Sequence, residues 1–246
     1  MIRERFLKEL QSLEIGLFWE LSFLSPSLCY LHYKQPSKFK KVPLLYLSAG
    51  IHGDEPAGPR AILQFLQRPD LWHDLEIYIF PILNPTGFTL GKRENRDGVD
   101  LNRDYRMPQT SEVKLHRAFL DAMPELSAAV CLHEDWEASG CYLYHLTDGT
   151  DMELGSRVLE AMSRILPVEL SALIDGQEAT KGLIQRHENK MDLEDWPEAI
   201  YLARSLTKCC FTLETPSSFP LEKREACLLA GMEEVAHYLR KLAPRE

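Results

Sequence analysis

Two imidazoles and a carboxylate stand in this chain where they could hold a divalent metal ion. His52 and Glu55 lie three positions apart in Gly50-Ile-His-Gly-Asp-Glu-Pro56, and His133 follows a separate apolar run. Two His and one carboxylate form a common ligand set for a catalytic zinc that keeps a fourth position open. The three-residue spacing suits a tight turn at the start of a helix, whereas ligands inside a helix more often stand at i and i+4. Amide hydrolysis also needs a base that takes a proton from water and passes it to the leaving amine, and Glu214, after the apolar run Cys209–Leu213, is the candidate. Taken singly, each residue has a plainer explanation: a His at a strand end is ordinarily a hydrogen-bonded surface residue, and a Glu after a strand a capping charge. Their joint placement points to chemistry.

These residues must be positioned by strands. Lys41–Ser48, Glu76–Leu83, Ala128–Leu132, Cys141–Leu146 and Cys209–Leu213 are short, apolar runs of the kind expected for strands buried on both faces. Between them, Glu55–Gln67, Ser111–Leu120, Met152–Ile165, Leu193–Leu206 and Leu221–Leu242 carry helical spacing of apolar residues, and Met1–Leu13 reads as an amphipathic N-terminal helix rather than a signal peptide. Gly16–Tyr33 reads as a hairpin or edge pair. Asn84-Pro85-Thr86-Gly87 carries turn chemistry, and the polar stretch Gly87–Gln109 holds no hydrophobic period, which predicts a long surface loop. The alternation predicts an α/β fold: one domain over 1–246, built as a three-layer αβα sandwich around a mixed, mostly parallel sheet. In such sheets the loops at the carboxyl ends of the strands form the site, and His52, His133 and Glu214 all fall there.

Composition narrows the function. The chain has 246 residues, of which 45% are hydrophobic, enough for one substantial core. A formal net charge of -9 opposes binding to nucleic acid or to an anionic membrane, and no uninterrupted apolar stretch approaches the roughly 18 residues of a membrane span. The six cysteines, Cys29, Cys131, Cys141, Cys209, Cys210 and Cys227, have neither disulfide-framework nor zinc-knuckle spacing and read as reduced core thiols, so a cytoplasmic protein is expected.

Five ordered segments then carry a resemblance: the His52–Glu55 motif, Asn84-Pro-Thr-Gly-Phe88, Gly98-Val-Asp-Leu-Asn-Arg103, His133, and Thr212-Leu-Glu-Thr-Pro216. Together they resemble the zinc carboxypeptidase family and its relatives, the murein peptide amidases and the succinylglutamate desuccinylase and aspartoacylase group. The resemblance implies one zinc ion on His52, Glu55 and His133, Glu214 activating a zinc-bound water, and Asn102 with Arg103 gripping a substrate carboxylate. Arg's planar fork suits that last task. It also implies that Arg93 polarises the scissile carbonyl, with Arg96 as the rival, and Asp100 is assigned to orient a ligating His through its other ring nitrogen.

Departures from the digestive carboxypeptidases are equally informative. Asp54 replaces an Arg inside the metal motif, and Tyr201, the nearest counterpart of their mobile Tyr, sits in a predicted helix and receives no role. Gln185–Trp196, which includes His187, is polar and irregular and could act as a lid. Glu134, Asp135 and Glu137 either favour an amino-bearing substrate or form a solvated acidic edge. The resulting expectation is a metallocarboxypeptidase or peptide amidase acting on a small peptide. Its alternatives are an N-acyl amino acid deacylase with the same metal core and, from a different class, a zinc-containing peptide-binding module without activity.

Overall fold

The computed structural model describes residues 2–13, 19–34, 42–186 and 195–243. In chain order the elements are α1 (Ile2–Ser12), β1 (Trp19–Phe23), β2 (Cys29–Tyr33), β3 (Leu44–Ala49), α2 (Ala57–Leu66), the single turn α3 (Pro69–Trp72), β4 (Glu76–Phe80), α4 (Pro85–Leu90), a 3-10 turn at Leu101–Arg103, α5 (Ser111–Leu120), β5 (Ala128–Asp135), β6 (Tyr142–Thr147), α6 (Met152–Ser163), β7 (Leu173–Ile174), β8 (Gln177–Glu178), β9 (Leu183–Arg186), α7 (Glu198–Ser205), β10 (Cys209–Pro216) and α8 (Leu221–Leu242).

Eight strands form one sheet in the order β1-β2-β4-β3-β5-β10-β6-β9, and β7 and β8 make a small separate pair. Its centre, from β4 through β3 and β5 to β10, is parallel. The pairs β1/β2, β2/β4 and β10/β6 are antiparallel, and β6/β9 is parallel again, so the sheet is mixed as expected. Alternate residues of the central strands feed two separate cores. Leu45, Leu47, Val130 and Leu132 join residues of α1, α2, α6 and α8 on one face. Leu44, Tyr46, Ala129 and Cys131 join residues of α5 and α7 on the other, completing the three layers.

Three differences from the sequence reading bear on the site. The stretch Gly87–Gln109 is partly helical and partly buried: it contributes to α4 and the 3-10 turn, and Phe88, Asn95, Leu101, Asn102 and Tyr105 lie inside. Its polar side chains make this possible by satisfying the local backbone. Asn84 accepts from the Gly87 N–H at 2.8 Å, Asn95 from Asp97 and Val99 at 3.0 Å each, and Asp104 from Gln109 and Thr110. A segment stabilised this way has no hydrophobic period to detect. Second, β5 and β10 run further than their apolar cores suggest, because the parallel ladder continues through Glu214↔His133 to Pro216↔Asp135. His133 and Glu214 therefore stand within strands rather than after them. Third, α7 starts at Glu198, behind Pro197, rather than at Leu193. Of the proposed lid, Gln185 and Arg186 belong to β9, while 187–194 lie outside the described residues.

Candidate active site

The site begins where β3 stops. Gly50 takes a left-handed conformation, φ 62°, and a Cβ there would sit 3.2 Å from the Ile82 Cα, so glycine meets both the turn and the close approach. The chain then bends through His52 and Glu55 into α2. Gly53 packs so tightly on Gly87 that a Cβ would fall 1.9 Å from that residue's carbonyl carbon, and its N–H donates to Lys92 O at 2.9 Å. The metal-type motif is thus pinned against α4, which explains why two distant motifs must both be present.

His52 and Glu55 meet His133 of β5 in a closed cluster. His52 Nδ1 lies 2.5 Å from Glu55 Oε1, His133 Nδ1 lies 3.0 Å from Glu55 Oε2, and the candidate ligand atoms of all three residues fall within 4.8 Å of one another. The residues are only 3%, 6% and 4% exposed, respectively. Their electrostatics favour positive charge at this point. Burial would lower His52, but Glu55 and Asp100 outweigh it and raise its pKa to about 9. Burial would raise Glu55, yet the two imidazoles hold it down at about 2. His133 is raised for the same reason, its burial being outweighed by Glu55. The buried negative charge that draws protons to these imidazoles would equally draw a metal cation in their place. Glu55 Oε2 is a buried oxygen whose contact with His133 Nδ1, 3.0 Å, is not aligned as a hydrogen bond, so the donor set fits a metal ion.

Asp100 ties this cluster to the arginines. One carboxylate oxygen lies 3.3 Å from His52 Nε2, the ring nitrogen opposite Nδ1, and accepts the Asn102 N–H at 2.9 Å. The other oxygen accepts from Arg93 Nε at 3.1 Å. Burial works against its charge, but His52, Arg93 and Arg103 together hold the carboxyl below the ordinary carboxylate range. Asp100 therefore caps the 3-10 turn that carries Asn102 and Arg103 while also touching His52 and Arg93. Arg93 Nη1 reaches 3.3 Å from His52 Nδ1. Asn102 Oδ1 accepts the Glu198 N–H at 2.9 Å, which leaves the amide's donor side for the cavity it lines.

A cavity of about 570 Å³ joins these groups: His52, Glu55, His133, Arg93, Asn102, Arg103 and Glu214 all line it. Glu214 faces in from β10, opposite His133 on one side and Tyr142 on the other, and has no hydrogen-bond partner among the described residues. Burial raises its carboxyl to about 8 despite the opposing pull of His133, with Glu55, Asp135 and Asp175 adding to the rise. A carboxyl with that proton affinity is suited to general-base work near neutrality.

Arg96 and Tyr201 are not brought here. Arg96 is exposed outside the cavity and donates its backbone N–H to Thr86 Oγ1. Tyr201 points into the α5–α7 side, where it bonds Asp121 and lies under Arg117. Glu134, considered above for substrate charge, is buried and committed: it accepts the Ala57 N–H at the start of α2 at 2.6 Å and pairs with Arg224. Conversely, Tyr142, Tyr144, Trp136 and Asp175 line the cavity and received no role from the sequence. Tyr142 and Tyr144 alternate along an expected strand, but only its pairing beside β10 turns that face to the site.

The fold and site define a hydrolase of the metallopeptidase and deacylase type. The chain belongs to the succinylglutamate desuccinylase/aspartoacylase catalytic domain family, whose model matches residues 41–238. Among solved structures, it is similar to a candidate metallopeptidase from Shewanella denitrificans OS217, with 28% identity and a TM-score of 0.80 over 95% of this chain and 89% of the other. A second candidate metallopeptidase, from Shewanella amazonensis SB2B, shares the fold at a TM-score of 0.82 and 24% identity, over 98% of this chain and 94% of the other. The metallo-carboxypeptidase from Burkholderia cenocepacia shares it at 0.72 and 16% identity, over 98% and 70% of the two chains. In sequence, Carboxypeptidase SOL1 of Arabidopsis thaliana is 32% identical over 82 residues, 29% of this chain and only 17% of that protein.

Proposed function

We propose that this chain is a zinc-dependent hydrolase that cuts the amide bond next to a terminal, carboxylate-bearing residue of a small peptide. The observation that carries the reading is the meeting in one cavity of the His52–Glu55–His133 cluster, Glu214 in register with His133, and Arg93 and Arg103. His52, Glu55 and His133 would hold one zinc ion, which when bound supplies Lewis acidity toward the water and the carbonyl.

The chain's own groups account for the remaining steps. Arg103, with the free amide donor of Asn102, binds the substrate carboxylate and fixes the register of the scissile bond. Arg93, held by Asp100, donates to the carbonyl oxygen as negative charge grows there. Glu214 takes one proton from the attacking water as the new C–O bond forms. It returns that proton to the nitrogen as the C–N bond breaks, so acid and amine products leave the base as it started. Asp100 steadies His52 from the far side of its ring.

The family supports a second reading, hydrolysis of an N-acyl amino acid by the same groups. The likeness to structures described as metallopeptidases supports the first. We treat the chain as one catalytic domain and place it in the cytoplasm, a reading supported by six cysteines that are all buried and free. The test is amino-acid release, read by mass spectrometry, from short peptides and N-acyl amino acids with and without a chelator. Chelator-sensitive cleavage of peptides supports the first reading, cleavage of N-acyl amino acids alone moves the protein to the second, and silence across both overturns the hydrolase assignment.

A further inference from the structure

Helix α2 starts two residues after Glu55, and its first turn is capped from far away. Asn84, Asp100 and Thr110 cap the helical turns that follow them with their own side chains. Ahead of α2 that place is taken by Pro56, which has no capping group, and the Glu55 carboxylate beside it is turned to the two imidazoles. The donor is satisfied from 77 positions further along the chain, where Glu134 Oε1 accepts the Ala57 N–H at 2.6 Å.

Glu134 follows His133 in β5, so the two side chains leave the strand on opposite faces. His133 meets Glu55, and Glu134 meets the backbone two residues beyond Glu55. The end of the strand and the start of the helix are thus joined twice, once through the candidate ligands and once through Glu134. Close by, Gly58 packs directly on β5: an added Cβ would fall 3.1 Å from the Leu132 Cβ, so no side chain cushions the helix there. The second Glu134 oxygen pairs with Arg224 of α8, whose Nε donates to Phe219 O at 2.9 Å in the turn after β10. The side chains of the pair are 1% and 14% exposed. A buried ion pair rarely adds net stability, because desolvation offsets the attraction, but it holds its two charges in one arrangement. Here that arrangement aims the carboxylate at Ala57.

We propose that Glu134 is a positioning residue for the metal cluster: by bridging β5 to the first turn of α2 it sets the separation of His133 from Glu55 and so tightens zinc binding. Its reach, rather than its charge, does this, because Arg224 already neutralises the charge. The inference rests on the proposed zinc role of His52, Glu55 and His133 and deepens it.

The test is the zinc dissociation constant of the full chain, read by competition with a chromogenic chelator, with melting temperature by circular dichroism as the measure of fold. Glu134→Asp keeps the charge and withdraws the carboxylate by one methylene, whereas Glu134→Gln keeps the reach and an oxygen for the Ala57 N–H but loses the charge. The Asp variant should weaken zinc by about tenfold or more, the scale of losing a group that orients a metal ligand, and the Gln variant by less than about threefold. Arg224→Met serves where Glu134→Asp does not fold: removing a cation would by charge alone tighten zinc, so the expected weakening of about threefold or more reports lost position. His116→Gln, on the other face of the sheet, shows how far zinc affinity follows melting temperature alone. The reverse order of Asp and Gln, zinc affinity unchanged in both, tighter zinc in Arg224→Met, or weakening no greater than melting temperature explains, overturns the inference while the zinc assignment stands. Absence of stoichiometric zinc binding in the unmutated protein overturns both.

Discussion

Replacing Glu214 by Gln separates binding from chemistry at this site. The side chain has no hydrogen-bond partner among the described residues, so an amide of the same shape orphans no buried group and requires no repacking. It also removes a carboxyl whose proton affinity is raised first by burial and then by Glu55, Asp135 and Asp175, so the fold should be as stable as before or slightly more so. What is lost is the base. General acid–base catalysis contributes roughly 10²–10⁴ in rate, or about 3–5 kcal/mol of barrier. Glu214→Gln should therefore keep stoichiometric zinc by elemental analysis and an unchanged melting temperature, with kcat reduced by at least about a hundredfold and KM little altered. The measurement is steady-state turnover on the best substrate, paired with metal content and circular dichroism. Turnover within about tenfold of the unmutated protein, with metal still bound, would refute the assignment of Glu214 as base.

Other positions test the remaining roles. His133→Ala removes one of the three candidate ligands and should abolish stoichiometric zinc binding; unchanged metal content would locate the ion elsewhere. Arg93→Ala should lower kcat by about 10²–10³, as for loss of an oxyanion donor, whereas Arg96→Ala should leave kcat/KM within about twofold; the reverse order would exchange their roles. Buried His116 reports on the other side of the sheet. Burial lowers its pKa to about 3, so between pH 6.5 and 3 the unfolded chain binds a proton that the folded chain refuses, and stability falls as pH falls. This residue should contribute a loss of about 1.4 kcal/mol per pH unit across that window, read as the difference between urea unfolding of the unmutated protein and of His116→Gln at pH 6 and pH 4. Parallel pH dependence in both would refute it.

Most of the fold was legible because its central strands are buried on both faces and its helices carry a clean apolar face. Ser111–Leu120 and Leu221–Leu242 begin and end where their periodicity does. The reading failed where structure depends on polar groups satisfying backbone rather than on apolar period. Asn84, Asn95, Asp100 and Asp104 order the segment from α4 to α5 through such bonds, and nothing in their spacing separates that from a solvated loop. The short strands β7 to β9 were missed because two to four residues give too little alternation to read.

The site divides along a similar line. The candidate ligands His52, Glu55 and His133 and the proposed base Glu214 could be singled out because chemistry restricts which residue types can serve, and the structure brings them to one cavity. The supports were hidden because they arise only when distant elements meet. Glu198 is the clearest instance: buried at the start of α7, its carboxylate accepts from Tyr46 OH at 2.7 Å and Ser48 Oγ at 2.9 Å, while its backbone N–H fixes Asn102. Because Tyr46 gives its proton to Glu198, it must accept from His116 Nε2–H at 2.8 Å, which leaves His116 Nδ1 to accept from Tyr105 OH at 2.6 Å. Every member of this chain is satisfied in a neutral imidazole, so β3, α5 and α7 are locked together under the segment that carries Asn102 and Arg103. Asn102 and Arg103, in the role proposed for them, are thereby held in place before any substrate arrives.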